Sequence, residues 1–316
     1  MFAHTFAAGK LLLVMDRALR NRLTYGPIMF AGLAGLLYLD YAAQQWTISA
    51  TMPRGVGGIG LLILAFVLLP PATRELAVLF SAVKVKPYRL ISGAGSNILA
   101  LHAFATQFPA FKPYGTSVLA FIIVSVMLLA ALRRAWSRQA ADAIHDMAGT
   151  LLATLYLGGL MWFLVALRVK NLSTPHGDDS RFVGDTMVIL TIFFTVKATD
   201  IGAFFGGKAL GRHKLIPWLS PGKTWEGLIC GVITAGIVGA GCASTLRYFS
   251  WEKGFIFGVI IGAIGQSGDL LESMMKRDAA VKDSGNSIPG FGGVLDVIDS
   301  PLLAAPFAYI LFSFFA

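Results

Sequence analysis

The sequence predicts an all-α polytopic integral membrane protein with about nine transmembrane helices and a cytoplasmic N-terminus. Three observations predict it. Of 316 residues, 56% are hydrophobic and 14% are charged, where a typical soluble domain carries about 25% charged residues. So few charges cannot cover a soluble globule, and so many apolar residues exceed what its core can hold. The same arithmetic excludes a disordered chain. The apolar residues also fall into runs separated by polar segments, as bilayer-crossing helices do. Finally, the basic residues divide unevenly between alternate loops.

Residues 1–27 carry Lys10, Arg17, Arg20 and Arg22, and their apolar run is too short for a signal-peptide core. An amphipathic helix on the membrane surface is expected there. Spans are expected over 28–46, 58–70, 90–108, 116–132, 147–167, 185–199, 227–246, 254–266 and 297–315. The second, sixth and eighth are short for a crossing of about 20 residues and must extend into their polar flanks. With the N-terminus inside, the segments 1–27, 71–89, 133–146, 200–226 and 267–296 hold 18 Lys and Arg. The opposite loops hold 7, and Lys197 is left within a span. A net charge of +9 would suggest nucleic acid for a soluble protein. Here it reads as the basic surplus facing cytoplasmic anionic lipid, and no nucleic-acid partner is expected. Cys230 and Cys242 share one apolar segment and read as packing residues. The chain divides into a transmembrane scaffold, residues 1–199, and a catalytic transmembrane region, residues 200–316, with cytoplasmic polar loops.

Acidic groups beside membrane spans are costly and therefore point to function. Six of the 17 fall between 269 and 299: Asp269, Glu272, Asp278, Asp283, Asp296 and Asp299. Asp269, Glu272, Ser273 and Lys276 share one face of a helix by their spacing. A glycine-rich loop follows, with Gly285, Gly290, Gly292 and Gly293, whose backbone N–H groups could approach a phosphate. It runs into Asp296 and Asp299, three residues apart on one face. Oxygen ligands beside such a loop suit Mg²⁺ held together with substrate phosphates. Upstream, Asp200 ends an apolar run as a membrane-boundary carboxylate, and Gly202, Gly206 and Gly207 suit close helix packing. Lys223 and Thr224 precede an apolar helix and offer a cation, a hydroxyl and helix-end N–H groups to a phosphate. The spacing of a Walker A loop is absent. Asp40 in the first span is a weaker candidate, as are an interfacial Arg74–Glu75 pair and a polar outer loop with His176, Asp178 and Asp179. His102 and His213 read as isolated, and no zinc spacing exists.

Taken together, Ser273-x-x-Lys276-Arg277, Lys282-Asp283-x-Gly285 and Pro289-Gly-Phe-Gly-Gly-Val-Leu-Asp296-Val-Ile-Asp299 resemble the signature of the phosphatidate cytidylyltransferases, or CDP-diacylglycerol synthases. Asp200-x-x-Ala-Phe-x-x-Gly207, Ser220-Pro-x-Lys223-Thr224-x-Glu226-Gly227 and Gly268-Asp269-x-x-Glu272-Ser273 resemble its other boxes, in order. The resemblance covers about residues 200–300. It departs from the family pattern at Phe291, usually His, at Val297, usually Arg, and at Gly222, often Lys.

The resemblance implies cytidylyl transfer from CTP to phosphatidic acid, giving CDP-diacylglycerol and pyrophosphate. It implies Mg²⁺ on Asp269, Asp296 and Asp299, in a centre of one or two ions. Lys223, Lys276, Arg277 and Lys282 would offset phosphate charge. Ser220, Thr224 and Ser273 would position substrate, and Glu226 and Glu272 would orient the cations. Asp200, Asp283, Gly292 and Gly293 complete the implied substrate site. A bacterial inner membrane, a cytoplasm-facing site and a homodimer are further expectations. A cytidylyltransferase for another lipid phosphate and a membrane transporter are the alternative readings.

Overall fold

The computed structural model describes residues 17–49, 55–138, 140–170, 181–246, 249–281 and 283–315. Among them are nine helices: α1 (Arg17–Trp46), α2 (Ile59–Ala82), α3 (Arg89–Ala105), α4 (Gly115–Trp136), α5 (Ala143–Val169), α6 (Arg181–Leu210), α7 (Trp225–Leu246), α8 (Trp251–Asp278) and α9 (Leu295–Phe315). A short antiparallel hairpin, β1 (Lys214–Ile216) and β2 (Ser220–Thr224), joins α6 to α7. Most of the surface helix expected over 1–27, and the loop of His176, Asp178 and Asp179, lie outside the described residues.

Eight of the helices are long and apolar enough to cross a membrane. The remaining one, α3, has 17 residues, about 25 Å at 1.5 Å per residue. It nevertheless runs between the two ends of the bundle. At one end Tyr88 N donates to Thr150 Oγ1 at 2.9 Å, and at the other Gln107 exchanges two hydrogen bonds with Gly57. Trp46, Trp136, Trp225 and Trp251 sit at helix termini with half or more of their surface exposed, where aromatic belts meet lipid headgroups.

Two sequence-based boundaries move. The second span was expected to stop at Pro70, with 71–89 in a polar loop. Helix α2 instead continues through Pro70 and Pro71 to Ala82. Prolines remove N–H donors, but packed membrane helices absorb that loss, and α2 buries Leu69, Ala72 and Leu76 completely. The continuation carries Glu75 into the interior, 7% exposed, and it pairs with the 284–295 loop rather than with Arg74. Helix α6 likewise runs past Thr199 to Leu210, so Asp200 is a mid-helix residue.

The helices pack in two ways. Between α6, α7 and α8 the glycines let backbones touch: a Cβ on Gly231 would lie 2.7 Å from Thr199 O, and one on Gly258 would lie 2.2 Å from Ala235 O. The rest is side-chain packing around Leu157, Leu164, Ile192, Phe257, Leu302 and Phe312. Helix α5 carries a π-turn at Leu155–Gly159, where Gly158 meets the Ser96 backbone of α3. His102 is not isolated: it accepts from Trp162 Nε1 and bonds Gly115 O, each at 2.8 Å. Cys230 and Cys242 are free thiols within α7.

A buried ion pair closes one end of the bundle. Arg168 is 1% exposed, and its Nε donates to Asp40 Oδ2 at 2.5 Å while Nη2 donates to Gln44 Oε1. Asp40 Oδ1 accepts Gly60 N–H at 3.1 Å, so α1, α2 and α5 meet at one carboxylate. This places Asp40 in the scaffold, far along the bundle from the clustered acids. Removing one member of such a pair strands a buried charge. Arg168→Ala or Asp40→Ala should therefore cost about 3–5 kcal/mol in detergent unfolding, and the double Asp40→Leu/Arg168→Met should recover most of it.

Candidate active site

At the opposite end, α8 and α9 bring their carboxylates together. Asp269, Glu272 and Lys276 lie on one face of α8, and Asp296 and Asp299 on the first turns of α9. Glycine-rich loop 279–294 joins the helices and folds back through Ile288 N to Gly292 O at 2.8 Å. Gly290 and Gly292 adopt positive φ in this turn, a conformation that L side chains avoid.

Glu75 anchors this loop. Its Oε1 accepts from Ser287 Oγ at 2.5 Å and Val294 N at 3.0 Å, and Oε2 accepts from Leu295 N at 2.8 Å. It therefore caps the start of α9 with a negative charge, which a helix N-terminus favours. Gly285 and Gly293 leave room for it: a Cβ on either would come within 2.7 Å of its carboxylate. Of the loop's amides, Val294 and Leu295 donate to Glu75, Ser284 and Gly293 to Asp296, and Gly292 to Ile288 O. The sequence reading paired Glu75 with Arg74 at the interface; its actual partners are Ser287, Val294 and Leu295.

Asp296 was expected among the metal ligands. Its Oδ2 accepts from Ser284 Oγ (2.8 Å), Ser284 N (3.3 Å) and Gly293 N (2.7 Å), and its Oδ1 accepts from Lys276 Nζ at 2.7 Å. With both oxygens engaged, Asp296 ties the loop to α8. The compact acidic group is Asp269, Glu272 and Asp299, each offering an oxygen within 4.8 Å of the others. Lys276 Nζ also reaches Glu272 Oε2 at 3.2 Å, but Glu272 Oε1 is fully buried and accepts no hydrogen bond. A buried carboxylate oxygen without a donor, in a set of three hard oxygen ligands, fits a divalent cation.

The hairpin completes the site. Lys223 Nζ lies 2.6 Å from Asp269 Oδ2, and Thr224 Oγ1 caps α7 by accepting Gly227 N–H at 3.1 Å. A cavity of about 650 Å³ opens between α6, the hairpin, α7, α8 and α9. Asp200, Lys223, Thr224, Asp269, Asp296 and Asp299 line it, joined by Lys197, Lys208 and Gln266, which sequence reasoning did not assign. Asp200 bridges Lys197 Nζ (3.0 Å) and Gln266 Nε2 (2.9 Å).

The other expected residues sit elsewhere. Glu226 faces away from the cavity: it accepts the Arg212 and His213 amides and pairs with His213 Nδ1 at 2.6 Å, fastening the hairpin to α7. His213 is accordingly not isolated. Ser220 opens β2, Ser273 is half-buried on α8, Arg277 approaches Leu219 O beside the hairpin tip, and Asp283 is exposed. Gly292 and Gly293 lie behind Asp296, and Lys282 is outside the described residues. Of the three departures from the signature, Gly222 lines the cavity, and Phe291 and Val297 do not. Phe291 points toward Gly26 of α1, and Val297 packs against the core.

This geometry accompanies a sequence match. Residues 46–315 match the profile of the cytidylyltransferase family. The chain belongs to this family. Family relatives include phosphatidate cytidylyltransferase of Bacillus subtilis, 32% identical over 75% of this chain and 85% of that protein. Chloroplastic phosphatidate cytidylyltransferase 5 of Arabidopsis thaliana is 32% identical over 71% of this chain and 57% of its own length. The Synechocystis phosphatidate cytidylyltransferase is 40% identical over 52% of this chain and 62% of its own length. The matches thus span less than two thirds of the Arabidopsis and Synechocystis proteins.

Because Glu75 satisfies three donors at once, Glu75→Ala leaves them buried and unpaired, at about 1–3 kcal/mol each. The loop should open, and chymotryptic cleavage at Phe291 should accelerate by about tenfold or more in limited proteolysis, with Glu75→Gln intermediate.

Proposed function

We propose that this membrane protein transfers the cytidylyl group of CTP to phosphatidic acid, in a Mg²⁺-dependent reaction that yields CDP-diacylglycerol and pyrophosphate. The observation that carries this reading is the cavity itself. Asp269 and Asp299 line it beside Lys223 and the capped end of α7, with Glu272 buried against them as the third carboxylate of the cluster, within a membrane bundle of the cytidylyltransferase family.

A phosphate oxygen of the lipid attacks the α-phosphorus of CTP, and the bond to the β-phosphate oxygen breaks as pyrophosphate leaves. Such a displacement needs in-line positioning and charge neutralisation more than covalent participation by the protein. Asp269, Glu272 and Asp299 would hold Mg²⁺, which when bound supplies Lewis-acid stabilisation of charge on the phosphates. Lys223 exchanges its contact with Asp269 for the nucleotide phosphates, and Lys208 at the cavity wall adds a second cation. Thr224 presents its hydroxyl at the N-terminus of α7, a favourable setting for phosphate. Lys276 acts from behind, holding Asp296 and Glu272 in place. Ser220, Ser273, Arg277 and Asp283 do not line the cavity and would act from its surroundings.

The hairpin and the 279–294 loop belong to the segments 200–226 and 267–296, two of the five that together hold 18 of the 26 Lys and Arg. The basic-residue rule orients those segments to the cytoplasm, where CTP is found, and we assign the protein to a bacterial inner membrane. The lipid enters sideways between helices.

Purified protein with CTP, Mg²⁺ and phosphatidic acid should release CDP-diacylglycerol and pyrophosphate, and chelation should stop the reaction. Asp269→Asn, Glu272→Gln and Asp299→Asn should each lower kcat by about 100-fold or more and raise the Mg²⁺ concentration for half-activity. Asp296→Asn should also lose activity, but with its Mg²⁺ requirement unchanged. No nucleotide product from the wild type refutes the activity, and a shifted Mg²⁺ requirement in Asp296→Asn refutes the ligand set.

A further inference from the structure

Lys197 has no role in the preceding scheme, yet it occupies an unusual place. It lies near the centre of the 25-residue apolar span Thr186–Leu210 of α6. Phe194, Ile201 and Phe204, at spacings of three, four and seven residues from it, share its helical face. All three are exposed, at 41%, 57% and 64%, and the Lys197 side chain is 54% exposed. The face is therefore an outward apolar stripe interrupted by one cation. Its depth follows from packing: neighbouring Thr199 meets Gly231, six residues beyond the start of α7, about 9 Å at 1.5 Å per residue.

A lysine on a lipid-facing stripe is costly unless its ammonium reaches water or an anion. This one reaches toward the C-terminal end of its helix, against the usual tilt of helical side chains, to Asp200 Oδ2 at 3.0 Å. That contact uses one of three N–H donors. The other oxygen of Asp200 is held by Gln266, so the carboxylate is fixed and the ammonium stands at a defined point of the cavity wall. Lys223 contacts Asp269, and Lys276 contacts Asp296 and Glu272, so both stand toward α8 and α9 rather than at the α6 stripe. Lys197 and Lys208 are the cavity-lining lysines of α6, and Lys197 is the one flanked on both sides by the stripe, by Phe194 before it and by Ile201 and Phe204 after it.

We propose that Lys197 is the receptor for the phosphate headgroup of the lipid substrate and sets its preference for an anionic headgroup. The assignment rests on the proposed cytidylyl transfer to a lipid phosphate. Acyl chains lie along Phe194, Ile201 and Phe204, which a free phosphate would not use. The phosphate takes the remaining donors of Lys197, at the wall that Asp299 also lines. Nucleotide approaches from the hairpin side, so the two substrates meet from different directions. Charge complementarity selects an anionic amphiphile over a neutral lipid, for which the stripe alone would suffice.

The test separates lipid binding from turnover. In phosphatidylcholine nanodiscs without CTP, spin-labelled phosphatidic acid should bind about tenfold more weakly to Lys197→Met than to wild type and comparably to Lys197→Arg. In turnover, Lys197→Met should raise KM for phosphatidic acid by a similar factor and leave KM for CTP unchanged. Unaltered lipid binding in Lys197→Met overturns the assignment, as does a rise in KM for CTP or a loss confined to kcat. If Lys197→Met does not fold, Lys197→Gln replaces it in both measurements. A wild type that binds phosphatidic acid through Lys197 but forms no CDP-diacylglycerol sinks the proposed function and leaves this inference standing.

Discussion

The carboxylate of Glu75 accepts the two backbone amides that open α9 and the Ser287 hydroxyl, and the geometry of the cavity depends on that contact. Helix α9 begins where Glu75 caps it, which sets the depth of Asp296 and Asp299. The capped loop then brings Ser284 and Gly293 onto Asp296, and Asp296 holds Lys276 of α8. One buried carboxylate from the scaffold thus fixes the spacing between the two helices that carry the acidic cluster. The division at residue 199 consequently describes where the polar residues lie in the sequence. It does not describe an independent catalytic unit.

The same economy governs the charges. A bilayer-embedded bundle tolerates ionised groups where each finds a partner or a polar cavity. Asp40 has Arg168, Asp200 has Lys197, Asp269 has Lys223, and Asp296 has Lys276. The first pair is a structural joint at the far end. The others surround the cavity, where a cation can leave its carboxylate for a phosphate once substrate arrives. Glu272 and Asp299, both buried, have less compensation, and that imbalance is what a divalent ion would relieve.

Much of this was legible in the sequence. Apolar run lengths and loop charges pointed to about nine helices, and the signature spacing singled out Asp269, Asp296 and Asp299, which the structure brings to one cavity. Four features escaped, each for a physical reason. Proline reads as a helix stop because it removes a donor, but α2 continues because its packed surroundings support it. Glu75 meets Ser287 across 212 residues, and a contact at that range leaves no local pattern. Spacing put Asp296 and Asp299 on one face of α9, but only tertiary packing determines which oxygens are already taken. That is why Glu272, and not Asp296, joins Asp269 and Asp299. The hairpin before α7 was equally hidden, being too short to show alternation.

The central claim is the identity of the three oxygen ligands. Anomalous diffraction from crystals grown with Mn²⁺ and a non-hydrolysable CTP analogue tests it most directly. The account predicts a peak bounded by Asp269, Glu272 and Asp299, with Asp296 still bonded to Lys276 and Ser284. An ion coordinated by Asp296, or one bound away from Glu272, would contradict it.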